Sequence, residues 1–367
     1  MRLGAGAGHL YAALMFVCGV SGVCAAQNAG TETGATEGII QSESERIRGR
    51  VEALGGWRAW DDSLAGWRQA IDAMPLEGKG RGGIEATLFH VGSVGFLQRG
   101  LSLKSPGDSP VQPWEAGGVK AAREFSLQLA ERGIGLVVVP VPCALSIYPE
   151  RSGATPPAEV GVQYLHLVSE LLANGVDTID LYSPFLENRF DGEETLYYRT
   201  DHHWNSRGIL LSASLIAERL ARFKLITEAR THPPLYTRKE LRLEDWRGAL
   251  SPEADMEKYP SENIERSQIL NQDGTLYAEP KSAPVLLLGD SFVQYVQFKG
   301  TATEIGANLA YELNCPVQTI SNYGLTAAQM PRLVARKGPD FLNNRVVVVW
   351  IMFDISFHDP AALPEVR

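Results

Sequence analysis

A serine hydroxyl attacks a carbonyl only when a neighbouring base can take its proton, and two short segments of this chain offer that pair. Val285-Leu286-Leu287-Leu288 is an unbroken apolar run that ends in Gly289-Asp290-Ser291-Phe292. A buried strand that delivers a serine at its C-terminal tip, on a turn carrying a glycine, is how an open α/β sheet presents a nucleophile to a crevice. Upstream, Tyr198-Arg199-Thr200-Asp201-His202-His203-Trp204 sets two histidines beside a carboxylate. Adjacent histidines point in different directions, so one of them faces the serine while Asp201 fixes its tautomer and stabilises the imidazolium. Other readings stand beside this one. Gly-Asp-Ser is also an ordinary turn or helix N-cap. The Asp-His-His run also reads as a polar loop or as a two-histidine, one-carboxylate metal site. Three ligands from one tripeptide would have strained geometry, so no metal is expected.

The elements that must hold these segments alternate along the chain. Helical spacing runs over Val119 to Arg132, Val160 to Ala173 and Arg207 to Arg222, with apolar strands expected at Leu136 to Val141 and Val176 to Leu181. After the serine come a helix at Thr303 to Leu313, a strand at Val317 to Ser321, a helix at Ala327 to Arg336 and a last buried strand at Arg345 to Ile351. Amphipathic helices alternating with wholly apolar strands predict an α/β fold, a doubly wound and mainly parallel sheet with helices on both faces. Ahead of it, the alternation from Ile84 to Gly92 reads as a strand and Gly95 to Leu101 as a second. Residues 27–83 read as a linker followed by short helices, and 84–367 as the main domain. Thr227 to Lys281 breaks the rhythm with charge and proline. It is too long for an ordinary connection, and such an insertion carries function or forms a lid.

Composition excludes some partners. A formal net charge of -9 over 367 residues gives no basic stripe able to neutralise phosphates, so nucleic acid is not expected as a ligand. The basic residues between Arg230 and Arg247 are interleaved with Glu240, Glu244 and Asp245, as on a solvated face. At the N-terminus, Arg2 precedes an apolar or small run from Leu10 to Val23, and Cys24-Ala25-Ala26 supplies small residues for a signal peptidase. Residues 1–26 are therefore read as an export signal cleaved after Ala26. An uncleaved inner-membrane anchor is the alternative, disfavoured by the glycines of the run. Val23 stands where a lipobox wants Gly, Ala or Ser, which argues against lipidation. With the signal removed, Cys143 and Cys315 remain, either paired in an oxidising compartment or buried as free thiols.

Gly289-Asp290-Ser291-Phe292, Asp201-His202-His203-Trp204 and Val139-Pro140-Val141-Pro142 with Tyr148-Pro149 resemble the alginate O-acetyltransferase family of the AlgJ and AlgX type. The resemblance covers about Ile84 to Ile351. It implies an exported, SGNH-hydrolase-like domain that acetylates an exopolysaccharide, with Ser291 as nucleophile, His203 as base and Asp201 as its orienting acid. It places Gly324, after Ser321-Asn322-Tyr323, where such enzymes complete the oxyanion hole. A plain strand-to-helix turn explains that segment equally well. Trp350 to Asp354 departs from the pattern, because the Gly-x-Asn-Asp loop of SGNH enzymes has no asparagine here; Asn322 is then the side-chain donor, or the hole has fewer donors. Arg199, Tyr198, Tyr148 and Tyr323 are candidates to touch substrate, or framework. No cofactor is expected. The acceptor would be a polysaccharide, held by this domain or a partner, since the chain's end at Arg367 leaves no room for a carbohydrate-binding module. The resemblance further implies a membrane-bound O-acyltransferase that hands acetyl groups outward, and a periplasmic location. An acetylesterase and an inactive scaffold for an export complex are the alternatives.

Overall fold

A computed structural model describes residues 23–101, 117–190, 195–252, 255–323 and 327–358. The export signal is expected almost wholly outside these residues. Among the described residues, no helix is long and apolar enough to cross a membrane.

Among the described residues there are nine strands, numbered in chain order. The first three, β1 (Leu76–Glu77), β2 (Gly80–Gly82) and β3 (Leu88–His90), make a small antiparallel sheet. The main sheet is built from β4 (Gly135–Val141), β7 (Val285–Gly289), β8 (Val317–Ser321) and β9 (Val347–Phe353), in the order β4-β9-β7-β8 and parallel throughout. Alternate residues of each strand feed opposite cores. Val137, Val139, Leu287, Val349 and Ile351 pack with the Val162–Ala173, Ser206–Leu220 and Ile305–Leu313 helices. Val138, Leu286, Leu288, Val348 and Trp350 pack with the Gly118–Ala130 and Met330–Ala335 helices. Burial on both faces explains why these strands read as continuous apolar runs. The fold is α/β and doubly wound, as the pattern predicts.

Several elements differ from expectation. Val176 to Leu181 is not a strand and touches β4 through a single parallel bridge, Val138 to Thr178. Its carboxylates have other uses: Asp177 pairs with Arg219 and Arg222, and Asp180 Oδ1 accepts the Tyr182 N–H at 2.8 Å and begins the Tyr182–Asn188 helix. Side-chain acceptors that bond nearby backbone compete with a ladder. Gly95 to Arg99 belongs to a helix instead, Val91–Arg99, which buries Val94, Phe96 and Leu97 and ends at Gly100. His90 caps it by accepting the Gly92 N–H at 3.2 Å.

The stretch read as a linker is a 31-residue helix, Val23–Ala53, followed by the short Trp57–Ser63 and Ala65–Asp72 helices. Ile47 and Val51 bury against the main core. Arg46 reaches Asp180 at 2.6 Å, and Arg50 reaches Glu159 at 2.8 Å. The described part of the insertion has regular structure as well. It forms the antiparallel hairpin β5 (Tyr236–Trp246) and β6 (Glu262–Asn271). Most of β5 is solvent-exposed between its buried ends, so it lacks the apolar alternation that marks a half-buried strand. Cys143 and Cys315 are both buried and are not joined in a disulfide.

Candidate active site

Gly289 ends β7 where the neighbouring strand comes closest. A Cβ there would meet the Ile351 carbonyl oxygen at 2.1 Å, so only glycine lets the chain turn at that point. Asp290 then fastens the turn. Its Oδ1 accepts the Phe292 N–H and its Oδ2 the Phe353 N–H, each at 2.9 Å, tying the tips of β7 and β9 together beneath Ser291. Burial pushes the Asp290 carboxyl up, and those two N–H groups draw it back.

The Asp-His-His loop is closed by an antiparallel bridge between Tyr197 and Trp204. Within it, Asp201 Oδ1 accepts the His203 N–H at 2.9 Å, a local turn of the kind aspartate favours. Trp204 Nε1 donates to the Phe292 carbonyl at 3.1 Å, which docks the loop against the serine turn. The result is a continuous line: Asp201 Oδ1 lies 2.6 Å from His203 Nδ1, and His203 Nε2 lies 2.8 Å from Ser291 Oγ. Asp201 is fully buried, His203 nearly so, and Ser291 half-buried.

Asp201 Oδ2 is satisfied from elsewhere. It accepts the Tyr295 hydroxyl and the Ala249 N–H, each at 2.7 Å. Burial alone would raise the Asp201 carboxyl. The hydrogen bond and charge of His203, with His202 and the Ala249 N–H, outweigh burial and hold it well below the usual carboxylate range. Tyr295 also stacks on the His203 ring, with centroids 4.1 Å apart. Ala249 arrives from the turn of the inserted hairpin, where a Cβ on Gly248 would meet the Thr200 carbonyl oxygen at 2.1 Å. Tyr295 and Ala249 escape sequence reasoning. The only trace of Tyr295 is its place four residues after Ser291, and a backbone donor has no side-chain mark.

His202 turns away from the serine and packs on His90 and His203, with ring centroids 4.8 Å and 4.0 Å away. Its Nδ1 is buried with no hydrogen-bond partner. Burial, then electrostatic coupling to the neighbouring His203 ring, push its pKa down to about 3 against the pull of Asp201. Ligand atoms of Asp201, His202 and His203 fall within 4.8 Å of one another. Both ring nitrogens of His203 are nevertheless engaged, by Asp201 and Ser291, so the geometry suits proton transfer better than ligation.

The remaining sequence candidates scatter. Arg199 is exposed, and its carbonyl oxygen accepts the Leu88 N–H at 2.8 Å. The Asn322 N–H is spent on the Gly289 carbonyl at 3.1 Å. Tyr323 is exposed on the rim, and Gly324 lies outside the described residues. Tyr148 is buried framework, its hydroxyl accepting the Leu196 N–H at 2.8 Å. Tyr198 is buried too, in contact with Arg266.

Below the site, Asp354 ends the Trp350 to Asp354 stretch, which carries no asparagine. It is fully buried and accepts the Ile355 N–H at 2.8 Å and the Cys143 N–H at 3.3 Å. Burial is the largest of the effects that push its pKa up to about 8, and Asp290 adds to it. The folded state therefore keeps a proton that the unfolded chain releases near pH 3.9. Stability from this group falls as pH rises from about 4 to about 8. Asp354→Asn should flatten that dependence: relative to the parent, its Tm improves across this window, by the equivalent of up to a few kcal/mol. Thermal melts at a series of pH values check it, and a constant Tm difference would contradict it.

Comparison with known proteins places this geometry in context. The family model for the SGNH hydrolase-like domain of acetyltransferase AlgX matches residues 109–353. A probable alginate O-acetylase AlgJ of Pseudomonas fluorescens is 26% identical over 238 residues, covering 61% of this chain and 57% of the relative. The corresponding protein of Pseudomonas aeruginosa is 26% identical over 203 residues, covering 47% of this chain and 49% of the relative. This chain thus spans about half the length of these curated relatives. Among solved structures, the O-acetyltransferase domain of Pseudomonas putida AlgJ superposes with a TM-score of 0.57 at 18% identity, covering 78% of this chain and 94% of that domain. At that identity the likeness concerns the fold.

Proposed function

The chain belongs to the family of SGNH hydrolase-like domains of acetyltransferase AlgX, and on that premise we propose that it is an O-acetyltransferase working through a serine acyl-enzyme. The observation that carries the proposal is the hydrogen-bonded line from Asp201 through His203 to Ser291. Ser291 Oγ attacks the acetyl carbonyl carbon while His203 Nε2 takes its proton, and Asp201 stabilises the imidazolium. Collapse of the tetrahedral intermediate expels the donor's leaving group, which receives that proton. A sugar hydroxyl then gives its proton to His203, attacks the acetyl carbon, and returns the serine to its starting state. The backbone N–H of Ser291 helps to hold the oxyanion at each stage.

The acceptor in this reading is an exopolysaccharide, in keeping with relatives named for alginate acetylation. The donor is a membrane-bound O-acyltransferase partner, and the work is done in the periplasm after export through residues 1–26. Asn322, Arg199 and Tyr323, with Gly324, are the candidate oxyanion and substrate contacts. Water as acceptor would make the same site an acetylesterase.

Incubating the purified protein with p-nitrophenyl acetate tests the proposal. The expected result is a mass increase of one acetyl group on the Ser291 peptide, absent in Ser291→Ala, and its discharge onto an added oligosaccharide. A protein that is never acetylated, together with unaltered polymer acetylation in cells carrying Ser291→Ala, would leave the inactive-scaffold reading in its place. An acceptor that diverts no acetyl from free acetate would favour the esterase.

A further inference from the structure

Glu304 stands beside the serine without taking part in the hydrogen-bonded line. With Ser291, His203, Tyr295 and Arg266 it lines a small cavity of about 10 Å³, room for about one hydroxyl-sized group. Its Oε1 is buried and has no hydrogen-bond partner in the protein, a costly state for a carboxyl oxygen. Arg266 does not satisfy it. Its Nε donates to Thr303 Oγ1 at 2.8 Å, its Nη1 to the Tyr198 hydroxyl at 2.7 Å and its Nη2 to the Thr303 carbonyl at 3.1 Å. The guanidinium also covers the Phe298 ring at 3.7 Å, and the residue is only 2% exposed. This cation is committed to the framework and closed to a ligand.

Burial pushes the Glu304 carboxyl up to about 7; Arg266, the Tyr295 N–H and Lys299 pull it down, and Glu279 pushes it further up. On the outer side, Tyr323 is 45% exposed and lies close enough to feel the Glu304 charge. Beside it, Ser321 Oγ donates to Gln294 Oε1 at 2.9 Å. An exposed aromatic ring within electrostatic reach of a carboxyl oxygen that lacks a donor is a surface suited to a sugar, whose apolar face stacks and whose hydroxyls donate.

We propose that Glu304 accepts a hydrogen bond from a hydroxyl of the acceptor sugar, and that it thereby selects an uncharged sugar over a uronate at the position next to Ser291. The proposal rests on the acyl-transfer reading above. A sugar hydroxyl supplies the donor that Oε1 lacks. A uronate carboxylate supplies none, and it repels the ionised form of this partly buried carboxyl, where charges are weakly screened. Lys299 is an exposed cation close enough to act on this carboxyl, and a uronate would have to recruit it instead.

The test divides a preformed acetyl-enzyme between two acceptors of equal length, a neutral glucan oligosaccharide and an oligouronate. The wild type should acetylate the neutral acceptor at least about tenfold faster. Glu304→Gln should bring the ratio to within about threefold, Glu304→Asp should keep most of it, and Lys299→Ala should leave it in favour of the neutral sugar. Equal or faster acetylation of the oligouronate by the wild type overturns the proposal, as does an acetyl-enzyme that passes to neither acceptor. A ratio unmoved by Glu304→Gln overturns it too. Should Glu304→Gln fail to fold, the wild-type ratio alone decides. Failure of the acyl-transfer reading is seen earlier and separately, as a wild type that forms no acetyl-enzyme before any acceptor is added.

Discussion

His203→Ala is expected to slow acetylation of the protein by p-nitrophenyl acetate by about 10³–10⁴-fold, while His202→Ala keeps the rate within about tenfold of wild type. The two residues are neighbours of the same type, and sequence alone ranks them only through the family resemblance. Geometry separates them. His203 Nε2 is 2.8 Å from Ser291 Oγ. His202 lies over His90, and its Nδ1 stays 3.7 Å from Asp201 Oδ1. A base must be within hydrogen-bond reach of the proton it removes, and His202 is held neutral and turned aside. The remaining cost of His202→Ala is packing, because its ring also touches Phe292 and Phe353. Rapid-mixing measurement of p-nitrophenol release gives both rates. A large loss in His202→Ala with a small one in His203→Ala would move the base to the other ring.

Asp201→Asn should fall almost as far, by about 10³–10⁴-fold, with little change in the fold's secondary structure. The carboxylate accepts four donors: the ring and main-chain N–H groups of His203, the Ala249 N–H and the Tyr295 hydroxyl. An amide must turn its NH2 toward one pair of them. Facing His203, it favours the tautomer that carries the proton on Nε2, where the serine needs a free lone pair to accept its proton. Facing Tyr295 and Ala249, it leaves those donors unpaired in a buried place. Tyr295→Phe, which removes one donor of the four and keeps the ring on His203, should cost far less. Pre-steady-state acylation rates, with circular dichroism to verify folding, discriminate these outcomes. An Asp201→Asn enzyme within tenfold of wild type would show that tautomer control contributes little here.

The legible parts of this chain were those whose physics is local. Leu286 to Leu288 and Val347 to Ile351 are buried on both faces, so an apolar run announces them, and the Gly-Asp-Ser turn announces itself by following one. Val176 to Leu181 looked the same in sequence, but Asp177 and Asp180 bind arginines and a helix start instead of extending a ladder. Gly95 did not disclose a helix because tertiary packing of Val94 and Leu97 overrides its low propensity. The β5–β6 hairpin hid because most of its first strand faces solvent. Within the site, Ser291, His203 and Asp201 were readable by residue type. Tyr295, Ala249 and Glu304 were not, since each matters through a partner far away in the chain or through the lack of one.

The Ala249 N–H that reaches Asp201 comes from 48 residues further along the chain. Its loop is pinned there by the Gly248 N–H on Thr200 Oγ1 at 3.2 Å and the Leu250 N–H on the Thr200 carbonyl at 3.2 Å. The Asp201 donor set that the proposed mechanism uses is thereby tied to a surface arm whose local stability need not equal that of the sheet. If the arm lifts, the carboxylate loses a donor while the parallel sheet and both cores stay folded. On the proposed mechanism, an insertion that interrupts the α/β rhythm acts on the serine through one backbone donor, and a ligand that displaced the arm would take that donor from Asp201.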